Sequence, residues 1–190
     1  MKLLLSLAFF LGANCLAVAG EKEDAFIALF YSQGGVVQEV DISGLELSCA
    51  NLQGIDLRSS VAVGVKLDRA TLSEGDLSAV NFSKADLRGA DLSNSVANQT
   101  NFSGADLSPK QDDPAVLKHM IAINADFSGA NISGADLEGA NLTEAKLSKA
   151  NLRGAQMINV ILDGVNLTSS DLRGIDSNHI TDLSGASLIN

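Results

Sequence analysis

The chain has 190 residues, 46% of them hydrophobic, with no Trp, one Tyr, two Pro and 17 Gly. Its core must therefore be built from small aliphatic side chains packed regularly, not from aromatic bulk. Thirteen Lys and Arg against 23 Asp and Glu give a net charge of -10, which opposes association with phosphate backbones and anionic membranes and sets nucleic-acid binding aside.

The first element is "MKLLLSLAFFLGANCLAVA", residues 1–19. Lys2, an apolar run from Leu3 and the small residues Ala17-Val18-Ala19 form the pattern of a secretory signal, and the mature chain is expected to begin at Gly20. The apolar run is interrupted by Gly12 and Asn14 and is short for a membrane span, so no stable anchor is expected after cleavage. Asn14 also argues against lipidation at Cys15. Cleavage would leave Cys49 as the one thiol, so the mature fold is expected to hold without an internal disulfide.

Residues 20–35 follow as a predicted capping helix. Glu21, Glu23 and Asp24 suit a helix N-terminus, Phe26, Ile27, Leu29 and Phe30 supply an apolar face, and Gly34-Gly35 supplies a stop.

From residue 36 the sequence repeats every five residues, as in "SGADLEGANLTEAKLSKANLRGA", where Leu137, Leu142, Leu147 and Leu152 each follow an alanine two positions earlier. A helix would rotate successive leucines by about 140° and leave no apolar stripe. A continuous strand would send them to opposite faces. The chain must therefore kink once per repeat, with alanine and leucine sharing the inner face of a short extended piece and the other residues making a corner. Bending the same way at every fifth residue closes the chain into a coil whose turns stack about 4.8 Å apart.

Val40 to Pro109 and Ala125 to His179 hold 25 repeats in one phase, with 24 apolar centres and Asp or Asn before the centre in 17. This pattern resembles the pentapeptide-repeat family, whose motif is Ala-(Asp/Asn)-Leu-x-x. The resemblance implies an all-β solenoid, a right-handed quadrilateral β-helix of about 6–7 coils over residues 36–179. It also implies stacks of centres twenty apart, with Phe82 beneath Phe102 and Leu47, Leu67, Leu87 and Leu107 in a second column. The Asp and Asn ladder is read as hydrogen-bonded to corner backbone, not as a metal site. Matches such as Asn81-Phe82-Ser83 follow from the repeat and are not read as glycosylation sites.

The pattern breaks at "PKQDDPAVLKHMIAIN", residues 109–124. Asp113-Pro114 reads as a helix start, and Val116, Leu117, Met120 and Ile121 fall on one helical face. A short helix projecting from the solenoid wall, or laid along it, is expected. The alternative is one degenerate coil with Leu117 still inside, since Leu107 and Phe127 are twenty apart. A conspicuous segment on a rigid scaffold is a candidate recognition element, and the candidate contact residues are Asp113, Leu117, Lys118, His119, Met120 and Ile121. At the C-terminal end Leu183 and Leu188 slip one residue out of phase, and residues 180–190 are expected to form a cap.

No catalytic, cofactor or metal residues are assigned. His119 and His179 are far apart and lie in no nucleophile or ligand motif. The expected function is an exported, non-enzymatic structural or protein-interaction scaffold in the periplasm or thylakoid lumen, monomeric, with an unidentified protein partner. The alternative, which the resemblance allows, is a DNA-mimic inhibitor of a DNA topoisomerase. Lys66, Arg88 and Lys146 interrupt the acidic faces that such mimicry would need.

Overall fold

A computed structural model describes residues 20–175 of the chain. The signal segment 1–19, the phase slip at Leu183 and Leu188 and the C-terminal cap at 180–190 lie outside the described residues.

The inward-facing residues set the architecture. Through the body of the rod the centre and the residue two before it are buried, with Val40, Leu45 and Leu172 at its ends partly so: Leu52, Leu57, Leu67 and Leu72 are fully buried, as are Ile55, Val65 and Thr100. Between these two the Asp or Asn points outward, and its carboxylate or amide oxygen accepts the N–H two residues on. Ser43 donates to Asp41 (2.9 Å), Ser93 to Asp91 (2.9 Å), Ser103 to Asn101 (2.9 Å) and Arg173 to Asp171 (3.1 Å). The ladder thus satisfies corner N–H groups, as its repetition implied.

Each corner closes with the N–H three residues after the centre donating to the centre's carbonyl, as from Ala50 to Leu47 (3.1 Å) and from Ala90 to Leu87 (3.0 Å). The second corner residue has positive φ, as a type II turn requires. Glycine often supplies it, as at Gly44 (φ 69) and Gly154 (φ 71), but so do Arg69 (φ 56), Lys84 (φ 59) and His119 (φ 55). The regular inner packing holds those residues in a conformation that costs a side chain roughly 1–2 kcal/mol.

Parallel bridges join residues twenty apart, from Asp41↔Val61 onward, and close four walls. Each wall contributes one bridged residue per coil where a conventional sheet would have an extended strand. Wall 1 has its centres from Ile42 to Leu167, wall 2 from Leu47 to Leu172, wall 3 from Leu52 to Met157 and wall 4 from Val37 to Leu162. Hydrogen bonds run up and down each wall: Ile42 N–H donates to Val61 (2.8 Å), and Val61 N–H to Val40 (2.8 Å). On wall 1 the expected pair Phe82 and Phe102 stacks at 5.5 Å between ring centroids, and Phe127 continues the stack at 4.7 Å.

Helix α1, Glu21–Ser32, precedes the first coil. Its three first-turn acids complement the helix dipole. Its end is a Schellman motif: Gly34 N–H donates to Tyr31 O and Gly35 N–H to Phe30 O, with Gly34 at φ 61. Phe26 and Phe30 are buried against the first coil. The helix also reaches the open edge of that coil. Glu23 accepts the Glu46 N–H at 3.1 Å, which holds its carboxyl below the ordinary value, and the Tyr31 hydroxyl points at the Asn51 carbonyl. These contacts meet the requirement that a solenoid cover its terminal edge.

The internal break differs from the expected helix. Bridges between residues twenty apart give way, for one coil only, to bridges twenty-five apart, from Asp91↔Val116 to Asp106↔Asn131, and then resume with Val116↔Asp136. A single pentapeptide is looped out. Leu117 and Ala122 are ordinary buried centres, and Ala115 and Met120 the buried residues two before them. The helical spacing of Val116, Leu117, Met120 and Ile121 was coincidental: Leu117 and Met120 are inward residues three apart, while Val116 and Ile121 are outward bridged residues that happen to be apolar. The degenerate-coil alternative is corrected in its register: Phe127 stacks on Phe102, and Leu107 bonds through its N–H to Asn131 O (2.7 Å), one wall further on.

Cys49 is disulfide-bonded in the full chain. The expectation of a single thiol concerns the chain from Gly20 onward and rests on the loss of Cys15, which lies outside the described residues.

Candidate functional site

Where walls 2 and 3 meet, other corners place two residues between the centre and the next inward residue. Here Ser108 to Pro114 intervene between Leu107 and Ala115. They form a hairpin: Lys110 N–H donates to Asp113 O (2.8 Å) and Asp113 N–H to Lys110 O (3.1 Å), around a two-residue tip of Gln111 (φ 60) and Asp112. Gln111, Asp112 and Asp113 are exposed, so the hairpin presents two carboxylates.

The hairpin is pinned against the edge on both sides. Toward the N-terminal end, Lys110 pairs with Asp68 at 3.5 Å, and Asp68 is buried and accepts the Ser48 hydroxyl at 2.5 Å. The Lys110 side chain crosses the wall over Gly89, where an added Cβ would lie 3.1 Å from Lys110 Cβ and 3.2 Å from Asp113 O. Arg69 borders the same spot, and its Nε is buried without a hydrogen-bond partner. Toward the C-terminal end, Pro109 lies over Gly134, with its Cγ 3.1 Å from where a Cβ would be. Two glycines thus clear the path of the hairpin.

The six residues expected to form one contact surface are dispersed. Asp113 stands on the hairpin. Leu117 and Met120 are in the core. Lys118 and His119 occupy the next edge, between walls 3 and 4. Lys118 bonds to Glu138 at 2.8 Å and to Asp136 at 3.0 Å, and these partners raise its pKa. The His119 ring lies across Gly139, where an added Cβ would be 2.4 Å from Nδ1. Ile121 is 41% exposed on wall 4. Pro109, Lys110 and Asp112 were missed as site residues. Their signal was in the phase: counted in fives, Asp112 is the one polar centre between Ile42 and Leu172.

Elsewhere the outward cations sit among the carboxylate columns. Arg58 bridges Asp56 (2.8 Å) and Asp76 (3.5 Å), and its hydrogen bonds hold the Asp56 carboxyl at about 2. Lys66 pairs with Glu46 at 2.6 Å. Arg88 joins Asp86 and Asp106; burial acts to raise the Asp86 pKa, but the bonds from Arg88 outweigh it and the net shift is downward. Among the described residues no group of three or more His, Cys, Asp or Glu is placed to hold a metal ion, and no helix is long and apolar enough to cross a membrane.

A family model for pentapeptide repeats matches residues 38–74, 76–108, 115–148 and 135–174, leaving out the hairpin. Among solved structures, the chain is similar to a pentapeptide repeat protein from the thylakoid lumen of Arabidopsis thaliana, with 31% identity, a TM-score of 0.40, and 58% of this chain and 59% of that one covered. It thus spans about three-fifths of that protein's length. It is also similar to HetL of the cyanobacterium Nostoc, a pentapeptide repeat protein involved in heterocyst differentiation regulation, with 24% identity, a TM-score of 0.28 and coverage of 85% and 92%. A third is QnrB1, a plasmid-mediated fluoroquinolone resistance protein, with 22% identity, a TM-score of 0.42 and 82% of each chain covered. Among curated proteins none matches. Family models that account for nearly every described coil, on a frame of four bridged walls, show that the chain belongs to the pentapeptide repeat family of quadrilateral β-helices.

Proposed function

We propose that the chain is an exported, non-enzymatic protein-interaction scaffold of about 6–7 right-handed coils, and that the hairpin at residues 109–113 is its recognition element. The observation that carries this reading is the hairpin itself. It is the single departure from the repeat among the described coils, the corner on which it sits needs only two residues, and it carries exposed Asp112 at its tip and exposed Asp113 beside it. A loop that contributes nothing to the inner packing is free to serve contact. The pattern of residues 1–19 supports export to the periplasm or thylakoid lumen. The alternative of DNA mimicry is disfavoured by the cations seated in the acidic columns, Arg58, Lys66 and Arg88, each within reach of carboxylates on its own or a neighbouring coil.

The test is affinity capture from the exported compartment with the chain from Gly20 onward, against a version lacking residues 109–113 and carrying Pro114→Gly. Glycine is needed because the shortened corner puts residue 114 at the positive-φ position, which proline cannot occupy. A partner retained by the parent and lost by the trimmed form is expected. Equal capture by both would move recognition to the walls, and no capture by either would oppose the scaffold reading.

A further inference from the structure

The outward face of wall 4 changes character along the rod. Its bridged column starts at Val36, beside the capping helix, passes through Asp56 and Asp76, and from there runs through Val96, Ile121 and Asn141 to Ile161. At this position Asp or Asn secures the corner N–H; where Ile121 stands instead, the Ile123 N–H donates to Asn98 Oδ1 at 3.0 Å. Ile121 and Ile161 remain 41% and 37% exposed, and Ile123 lies half-buried beside Ile121. The charge changes over the same span. Residues 20–114 carry 15 Asp and Glu against seven Lys and Arg, while residues 115–175 carry six against five. Close approach of two copies is therefore repelled at the first part of the rod and nearly free of net repulsion at the second.

The geometry points to wall 4 of the second part as a self-association surface, on which a second copy of this chain packs antiparallel about a two-fold axis passing between the levels of Ile121 and Asn141. Such an axis keeps the apolar column facing itself. It sets Val96 against the partner's Ile161, and Ile121 against the partner's Asn141. Along the edge with wall 3 it brings Lys118 toward the partner's Glu138. The acidic first parts then project from opposite ends. A parallel pairing would instead lay them side by side. Four levels give roughly 20 Å of shared wall, less than a stable obligate dimer uses, so the association is concentration-dependent.

Sedimentation equilibrium of the chain from Gly20, with Cys49→Ser to exclude thiol chemistry, tests this from micromolar to millimolar concentration. A monomer–dimer equilibrium is expected, with the dissociation constant raised about tenfold or more by Ile121→Asp with Ile161→Asp and unchanged by Val61→Asp, which alters an equally exposed residue on wall 1. The register is tested by mixing single Val96→Cys and Ile161→Cys chains with a short bifunctional thiol cross-linker, where the mixed product should outnumber both homodimers. A monomer throughout, a dimer indifferent to the wall 4 aspartates, or a Val96→Cys homodimer as the main product would each overturn the proposal.

Discussion

Two corners on the edge between walls 2 and 3 make an informative pair. At Ser133-Gly134 the chain turns in two residues, with Gly134 at φ 66; one coil earlier it makes the same turn through the seven residues from Ser108 to Pro114. The walls on either side do not register the difference. Leu107 and Ile132 are both buried, and the bridges resume their twenty-residue step at once. Corner length is therefore tolerated, because loop closure costs little per added residue, while the inner stack accepts no change of phase. The fold is specified from inside, and the corners are where sequence is free to vary.

The sharpest way to break that contrast is to remove material from the stack. Phe102 lies between Phe82 and Phe127, at 5.5 and 4.7 Å, and is fully buried. Its neighbours are held by the ladders of their own coils and have little freedom to collapse inward. Phe102→Ala should cost about 3–5 kcal/mol, read as a large fall in the thermal or denaturant midpoint. A loss below about 1 kcal/mol would mean that the coils can close over a void.

The same contrast explains what was legible in the sequence. The period of five, the inward pairs and the role of the Asp and Asn ladder could be read because each repeats along the chain, so that one physical requirement is stated many times. The stretch at 113–121 was misread because a helix and a pentapeptide coil share some of their apolar spacings. Over nine residues Val116, Leu117, Met120 and Ile121 satisfy a helical face, and only the continued phase through Leu117 and Ala122 rules it out. The hairpin contacts were not legible at all. That Lys110 reaches Asp68, or that Pro109 needs Gly134, depends on which levels of the wall the loop crosses, and no local pattern encodes this.

At an ordinary corner the effect should be intermediate and divisible. Gly139→Ala forces a side chain into φ 68 and drives a Cβ to within 2.4 Å of His119 Nδ1, whereas at Gly154, φ 71, nothing lies within 4 Å. Gly154→Ala should cost roughly 1 kcal/mol from backbone conformation alone. Gly139→Ala should cost more, and His119→Ala in the same chain should bring it back to the Gly154→Ala level. If the two glycine variants are equal from the start, the exposed ring swings aside freely and that edge is softer than its close contact suggests.

Acid should act on the outer columns with a smaller effect. The Asp56 carboxyl, held at about 2 by Arg58 against an ordinary 3.8, binds its proton less readily folded than unfolded. Its contribution is present above pH of about 4 and is lost as pH falls toward 2. With Arg58 half exposed, screening leaves on the order of 1 kcal/mol. Asp56→Asn should flatten the stability profile across that window and leave it unchanged at neutral pH apart from a constant offset.

Smallest of all should be the effect of trimming the hairpin. Removing residues 109–113 with Pro114→Gly loses the Lys110–Asp68 pair and the cover that Pro109 gives Gly134, but it shortens the loop and restores a two-residue corner with glycine at the positive-φ position. These terms oppose one another, and stability should stay within about 1 kcal/mol of the parent. A marked loss would show that the hairpin is a structural clamp, with Lys110 needed to compensate the buried Asp68 carboxylate, and Lys110→Met in the untrimmed chain would then reproduce most of it. A stability that holds while partner capture fails would separate the two parts of this molecule: a stack that maintains the coil, and a five-residue excursion retained for what it touches.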